Sequence, residues 1–235
     1  MKMSTNDKAG ATDQTEEYYH HIRREIAPLL PPSASQVLEV GAGAGSTLKW
    51  MKSVYPGVKT TAVELNSELR IQLERNADVV LIGPVDEALP RLKTYDLILL
   101  LDVLEHLPDS TKTLQALVKH LAPGGQVIVS LPNVAHLSVS VPLLLGRRFT
   151  YQESGILDKT HVRFFVEDTA VKLLNDAGLV VTSGLISGLQ GPKSRLVNLL
   201  SFGLLRHHFA KQYIMCGKPT DGSAGQGKIR WGIAS

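Results

Sequence analysis

The sequence predicts a doubly wound α/β fold built on a mostly parallel, seven-stranded sheet. Three observations carry this prediction. Short apolar runs alternate strictly with helix-compatible stretches through residues 36–130, the pattern of successive βα units. The first run, Val37-Leu38-Glu39-Val40, passes directly into the glycine-rich turn Gly41-Ala42-Gly43-Ala44-Gly45. Finally, Glu39, Glu64, Asp86 and Asp102 fall near the carboxyl ends of successive runs, where open α/β sheets bind their ligands.

The elements follow in order. Residues 1–14 are polar and read as a disordered arm. Thr15 to Leu30 reads as a helix, broken by Pro31-Pro32. Strands are expected at Gln36 to Val40, Lys59 to Glu64, Val79 to Ile82, Leu97 to Leu101 and Gln126 to Ser130. Helices are expected near Thr47 to Val54, Ser67 to Asn76 and Ser110 to His120. The alternation stops from Asn133 to about Arg163, interrupted by Pro142, Gly146 and Gly155. Residues 134–164 therefore read as an insertion, a lid over the active-site edge. Helix returns at Val166 to Ala177 with Gly178 as its C-cap. Leu179 to Ser187 and Gln212 to Cys216 are the last two expected strands. Between them, apolar Ser194 to Phe209 carries Arg195, Arg206, His207 and His208 at its ends. A helix packed on the sheet is preferred there over a membrane-surface helix or a dimer face. Residues 219–235 are glycine-rich and polar and read as a flexible tail. The reading is thus one domain over residues 15–218.

Composition sets bounds. A chain of 235 residues with 43% hydrophobic content accommodates one domain with a sizeable core. Net charge is only +3, and Arg23-Arg24 and Arg147-Arg148 are no more than pairs, so nucleic acid is not an expected partner. The single cysteine, Cys216, excludes an internal disulfide and cannot make a zinc site alone. No metal is expected, and a reducing cytoplasmic setting fits. Met1 to Gln14 lacks a signal-peptide pattern. The apolar run Leu97 to Leu101 is far too short to span a bilayer.

Two cofactors compete for the glycine turn. The dinucleotide fingerprint wants G-x-G-x-x-G/A followed by an acidic ribose partner. Gly41, Gly43 and Glu64 fit, but Ser46 stands at the third small position. Glu39 discriminates. A carboxylate on the strand just before the turn repels a pyrophosphate, whereas S-adenosylmethionine brings a sulfonium and an amino group that suit it. Glu39 also reads as a buried acid capping the turn N–H groups, and both roles are compatible.

The chain resembles the class I S-adenosylmethionine-dependent methyltransferases at Val37 to Gly45, Ala62-Val63-Glu64, Tyr95 to Leu107 and Leu121-Ala122-Pro123-Gly124-Gly125. The resemblance runs from about Tyr18 to Lys218 and implies an antiparallel hairpin at one sheet edge. It also implies S-adenosylmethionine as cofactor. Gly41, Ala42, Gly43 and Gly45 would lie along its methionine and ribose portions. Glu64 and the neighbouring Leu65 would hold the ribose, and Val85 or Asp86 the adenine. Asp102 and Val103 would line the methionine end, although Asp102 reads equally as a cap for the following helix. Tyr18 or Tyr19 would close over the cofactor or pack in the core.

Methyl transfer needs position, a dry site and, for a hydroxyl acceptor, a base. His161, His106 and His136 are the candidates, each with a structural hydrogen bond as its alternative role. His161 comes first. Its segment, Leu157 to Phe165, resembles one in bacterial methyltransferases associated with sugar and polysaccharide biosynthesis. Asp158 would orient it, and Arg163 would bind an acceptor anion or form a salt bridge. Leu131-Pro132-Asn133-Val134 stands where amide and base-nitrogen methyltransferases carry Asn-Pro-Pro-Tyr. The expectation is O-methylation of a small acceptor, sugar-linked as a first choice. An NAD-dependent oxidoreductase and a non-catalytic S-adenosylmethionine-binding protein are the alternatives. Oligomeric state is left open.

Overall fold

The computed structural model describes residues 21–188, 199, 206–220 and 226–234. Its centre is an eight-stranded sheet in the order β3-β2-β1-β4-β5-β7-β6-β8. The strands are β1 (Gln36–Val40), β2 (Lys59–Glu64), β3 (Val79–Ile82), β4 (Tyr95–Leu101), β5 (Leu121–Pro132), β6 (Leu179–Ser187), β7 (Gln212–Pro219) and β8 (Arg230–Ile233). Five strands pair in parallel from β3 to β5, β7 runs antiparallel to both its neighbours, and β8 joins β6 in parallel. The helices are α1 (Ser46–Val54), α2 (Arg70–Asn76), α3 (Val85–Ala88), α4 (Ser110–Val118), α5 (Leu137–Gly146), α6 (Glu167–Asp176) and α7 (Arg206–Phe209).

The expected strands are present, and the differences have physical causes. Arg230–Ile233 forms a strand inside the segment read as a flexible tail, so the sheet has eight strands and the antiparallel pair is no longer its edge. Gly184 makes this docking possible. A Cβ there would meet the Trp231 ring at 2.4 Å, so only a glycine admits the indole. At the amino end, described from His21 onward, Arg24–Leu29 is a 3-10 helix and not the expected α-helix. Pro28 inside it has no N–H to continue a helical ladder. The predicted helix at Ser67 to Asn76 begins as a 3-10 turn, Ser67–Leu69. Most of Ser194 to Phe209, with residues 1–20, lies outside the described residues. No helix among the described residues is long and apolar enough to cross a membrane.

The sheet is buried on both faces, as parallel sheets are. Leu38, Val40, Ile98, Leu100, Val127 and Val129 point into one core. Val37, Leu97, Leu99, Leu101 and Ile128 point into the other, the two-residue alternation of a strand. Asp96 ties β4 to the start of β1 by accepting from the Ser35 and Gln36 N–H groups at 2.7 and 2.9 Å. The chain fills one side of the sheet with β1, β2 and β3, then crosses to place β4 on the other side of β1. That switch point opens a crevice at the carboxyl ends of β1 and β4.

Candidate active site

A cleft of about 1110 Å³ occupies this crevice. It is lined by the turn residues Gly41, Ala42 and Gly43, by Glu39, Glu64 and Leu65, by Val85 and Asp86, and by Asp102, Val103 and His106. Residues far apart in sequence thus converge on one wall. Gly45 is not among the lining residues. Its backbone is left-handed (φ +78°), and a Cβ would press on Asn76 and Leu73 of α2 at 3.0 and 3.2 Å, so it serves helix packing. Tyr18 and Tyr19 lie outside the described residues.

Each glycine-turn contact has a cause. Gly41 takes φ +69°, and a Cβ there would sit 2.5 Å from Val103 Cγ2. Its N–H donates to the Val63 carbonyl at 2.8 Å, so the turn cannot retreat. We predict that Gly41→Ala loses about 2–4 kcal/mol, from the left-handed penalty plus overpacking. Urea unfolding read by circular dichroism checks this.

The two glutamates divide the work. Glu64 Oε2 accepts from Gly43 N–H at 2.8 Å and Oε1 from Asn66 N–H at 2.9 Å. Glu64, and not Glu39, therefore caps the turn. Glu39 is 3% exposed, and its Oε2 has no hydrogen-bond partner among the described residues. Burial pushes its carboxyl up to about 8. Arg23 and the Thr47 hydroxyl oppose that rise, and Glu64 adds to it.

Arg23 is the residue that the sequence analysis missed. Its guanidinium donates to Asp102 Oδ2 at 2.6 Å, and to Ser130 Oγ and Gln212 Oε1 at 3.2 Å each. It also pairs with Glu25. Asp102 holds a left-handed backbone (φ +59°), uncommon for a residue with a side chain. Ser130 secures it, accepting from the Asp102 N–H at 2.9 Å and donating to Oδ1 at 2.9 Å. Gln212 donates to the same oxygen. Asp102 is no helix cap: the next turn, Leu104–His106, has no side-chain cap, and Asp109 caps α4.

Two of the three histidines pack together and the third stands apart. His106 lines the cleft, and its Nδ1 lies 3.0 Å from Thr160 Oγ1 and 3.3 Å from the Thr160 carbonyl. His161 stacks edge-on against it, ring centroids 4.7 Å apart. It is 9% exposed and is not among the residues lining the cleft. Burial and the nearby His106 lower its pKa, so it is neutral at physiological pH. His136 lies elsewhere. Its Nδ1 accepts from Ser138 N–H at 3.1 Å, capping α5. Asp158 accepts from the His161 backbone N–H through its carbonyl at 3.0 Å, but its carboxylate does not orient the imidazole. Its carboxylate binds the Thr160 N–H and hydroxyl at 2.8 and 2.7 Å, and Thr160 in turn holds His106. Arg163 forms neither an anion site nor a salt bridge among the described residues, donating from Nε to the Pro108 carbonyl at 3.0 Å. Backbone N–H groups of Val162 and Arg163 donate to the Glu105 carbonyl at 3.0 and 3.1 Å, fastening this loop to the turn that carries His106.

A crevice at the switch point of a doubly wound sheet, walled by a glycine turn and by the buried carboxyl groups of Glu39 and Glu64, is the class I S-adenosylmethionine-dependent methyltransferase architecture. Comparison with known proteins agrees: the chain belongs to a methyltransferase-domain family, whose pattern it matches over residues 13–183. Among curated relatives, it is 28% identical over 116 residues to a ubiquinone biosynthesis O-methyltransferase of Xanthomonas axonopodis pv. citri, covering 46% of this chain and 47% of the relative. It is 24% identical over 172 residues to the protein of the same name from Rickettsia akari, covering 68% and 65%. The matched region thus spans from about half to just under two thirds of these relatives. Among solved structures, it is similar to a SAM-dependent methyltransferase from Archaeoglobus fulgidus, with a TM-score of 0.64 and 18% identity over 88% of this chain and 99% of that one. A possible histamine N-methyltransferase from Thermotoga maritima gives a TM-score of 0.58 at 16% identity, covering 92% and 96%. At these identities, the structural likenesses speak for the fold.

Proposed function

We propose that the cleft binds S-adenosylmethionine and that the chain methylates an oxygen of a small-molecule acceptor. The observation that carries this is Glu39: a desolvated carboxyl group with an unpartnered oxygen beside the glycine turn fits a cationic ligand, whose charge favours its ionised form, and that ionised form would repel a pyrophosphate. Glu64 supports it. Each of its oxygens holds one backbone N–H and keeps a second lone pair, which suits the two hydroxyls of a ribose. Gly41, Ala42 and Gly43 would follow the ligand's backbone-hugging edge, with Leu65, Val85 and Asp86 toward the adenine and Asp102 and Val103 toward the methionine end. When bound, the cofactor supplies a methyl group already activated by a sulfonium.

The protein's own contribution is then position and proton management. His106 faces the cleft with its Nδ1 fixed by Thr160, so its Nε2 is the imidazole atom offered to an acceptor hydroxyl. Oxygen is favoured as the acceptor atom because the curated relatives are named as O-methyltransferases. A sugar-linked acceptor is supported by the character of the Leu157–Phe165 segment, and a phenol by the relatives' names.

Calorimetric titration with S-adenosylhomocysteine, with NAD as control, tests the cofactor. Glu64→Ala is expected to weaken S-adenosylhomocysteine binding by about 10- to 100-fold, the loss of a charged hydrogen-bonding group. Unchanged affinity would remove Glu64 from the ribose site. Radiolabelled methyl transfer into a panel of sugars and phenols tests the acceptor.

A further inference from the structure

Three side chains around the loop that fastens onto the Leu104–His106 turn hold no part of the cofactor. Glu105, His106 and His161 each offer one ligand atom, and these atoms all lie within 4.8 Å of one another. Glu105 is 1% exposed, yet its Oε2 has no hydrogen-bond partner among the described residues. Its Oε1 is 4.0 Å from His161 Nε2, too far for a hydrogen bond. A buried carboxyl beside two imidazoles, making no direct bond to either, is costly unless something completes it.

The imidazoles are arranged for a cation. His161 Nδ1 lies 3.1 Å from the Ile156 carbonyl, and His106 Nδ1 lies 3.3 Å from the Thr160 carbonyl. A carbonyl only accepts, so each Nδ1 carries the proton and each Nε2 presents a lone pair. Metal-binding histidines are held in this way, with the second nitrogen donating to a backbone carbonyl. His106 also lines the cleft, which gives an ion a route in and leaves its open positions toward the acceptor.

We propose that Glu105, His106 and His161 form a divalent transition-metal site at the edge of the cleft. With an ion bound, the single Nε2 lone pair of His106 would serve the ion, which would itself acidify the acceptor hydroxyl in place of a free imidazole base. Two nitrogens and one carboxylate suit Mn²⁺, Fe²⁺, Co²⁺ or Zn²⁺ better than the oxygen-seeking Mg²⁺ or Ca²⁺. Bonds of about 2.0–2.2 Å place ligand atoms at most about 4.4 Å apart, so the widest pair closes by at least a few tenths of an ångström on binding. The open coordination positions suit an acceptor with neighbouring oxygens, such as a vicinal diol or a catechol. That last assignment rests on the cleft being the methyl-transfer site; cation binding does not.

The test is titration of the full chain, freed of metal by a chelator, with Co²⁺, followed by visible absorption and calorimetry. One site per chain is expected, weakened at least about tenfold in Glu105→Gln and in His161→Gln and unaffected in His136→Ala. Glu105→Gln replaces the carboxyl by an isosteric amide, and near-ultraviolet circular dichroism verifies that both variants keep their packing. No Co²⁺ site in the wild type, or a site that folded Glu105→Gln retains unchanged, overturns the proposal. S-adenosylhomocysteine is titrated into the same metal-free protein. Binding there without a Co²⁺ site would sink the metal proposal alone, whereas a Co²⁺ site without S-adenosylhomocysteine binding would sink the cofactor reading alone.

Discussion

Glu39→Gln is expected to weaken S-adenosylhomocysteine binding by at least about tenfold above pH 8 while making the free protein more stable there. The two effects have one origin. In the fold, burial holds the Glu39 carboxyl up to about 8, against an ordinary value of 4.5. Below pH 4.5 the group is protonated in both folded and unfolded chains and costs nothing. Between 4.5 and 8 the unfolded chain releases the proton and the folded one keeps it, so stability falls as pH rises. Above 8 the full cost is present, on the order of 5 kcal/mol. Glutamine has no proton to lose. Its advantage over wild type should be absent near pH 4.5, grow through neutrality and level off above 8.

The ligand reverses the sign. An ammonium group next to Glu39 favours the ionised carboxylate, so binding near pH 7 should expel a proton that the free protein holds. Calorimetry in two buffers of different ionisation enthalpy reads that proton directly. Wild type should release it and Glu39→Gln should not. A stability gain without any loss of affinity would mean that Glu39 is a buried acid with no ligand, and its place in the cofactor site would fall.

Much of this site was legible in the sequence because its signals are local. The apolar run, the glycine turn and Glu64 at the next strand end lie within 28 consecutive residues, 37–64, and βα geometry brings them together. Arg23 was invisible for the opposite reason. Its partners Asp102, Ser130 and Gln212 are 79, 107 and 189 residues away, and no spacing rule connects an arginine before a 3-10 helix to the ends of three strands. The Glu105 site was hidden in plain view: it sits in the Leu104-Glu105-His106-Leu107 motif, but only packing reveals that the carboxyl is buried with one oxygen lacking a hydrogen-bond partner among the described residues. β8 was obscured by composition. The glycines and polar residues after Asp221 dominate the tail, yet Ile229, Trp231 and Ile233 alternate with Arg230 and Gly232, a period-two signal that a five-residue window detects. The His136 assignment failed because a histidine just past a strand end is also placed to cap the next helix, and local hydrogen bonding to Ser138 won.

Arg23→Met is expected to cost about 2–4 kcal/mol of stability, less than the loss from a fully buried pair because Asp102 keeps part of its surface in water. Methionine keeps most of the apolar stem, so the change isolates the charge. What remains is an uncompensated carboxylate at Asp102, in a left-handed backbone that the Arg23, Ser130 and Gln212 contacts hold in place. Arg23→Met/Asp102→Asn should recover much of the loss, because neither charge is then left alone; a double-mutant cycle gives the coupling. The same substitution has a second, independent signature. Arg23 is the positive charge that restrains the rise of the Glu39 carboxyl, so without it the pKa of Glu39 climbs further. Cofactor affinity in Arg23→Met should therefore fall most at neutral pH and recover as pH is raised, with the midpoint of its pH profile displaced upward from wild type. A uniform loss at every pH would show that Arg23 acts by holding the cleft together. An upward-shifted midpoint would show that it also sets the charge state of the carboxyl on which cofactor binding depends.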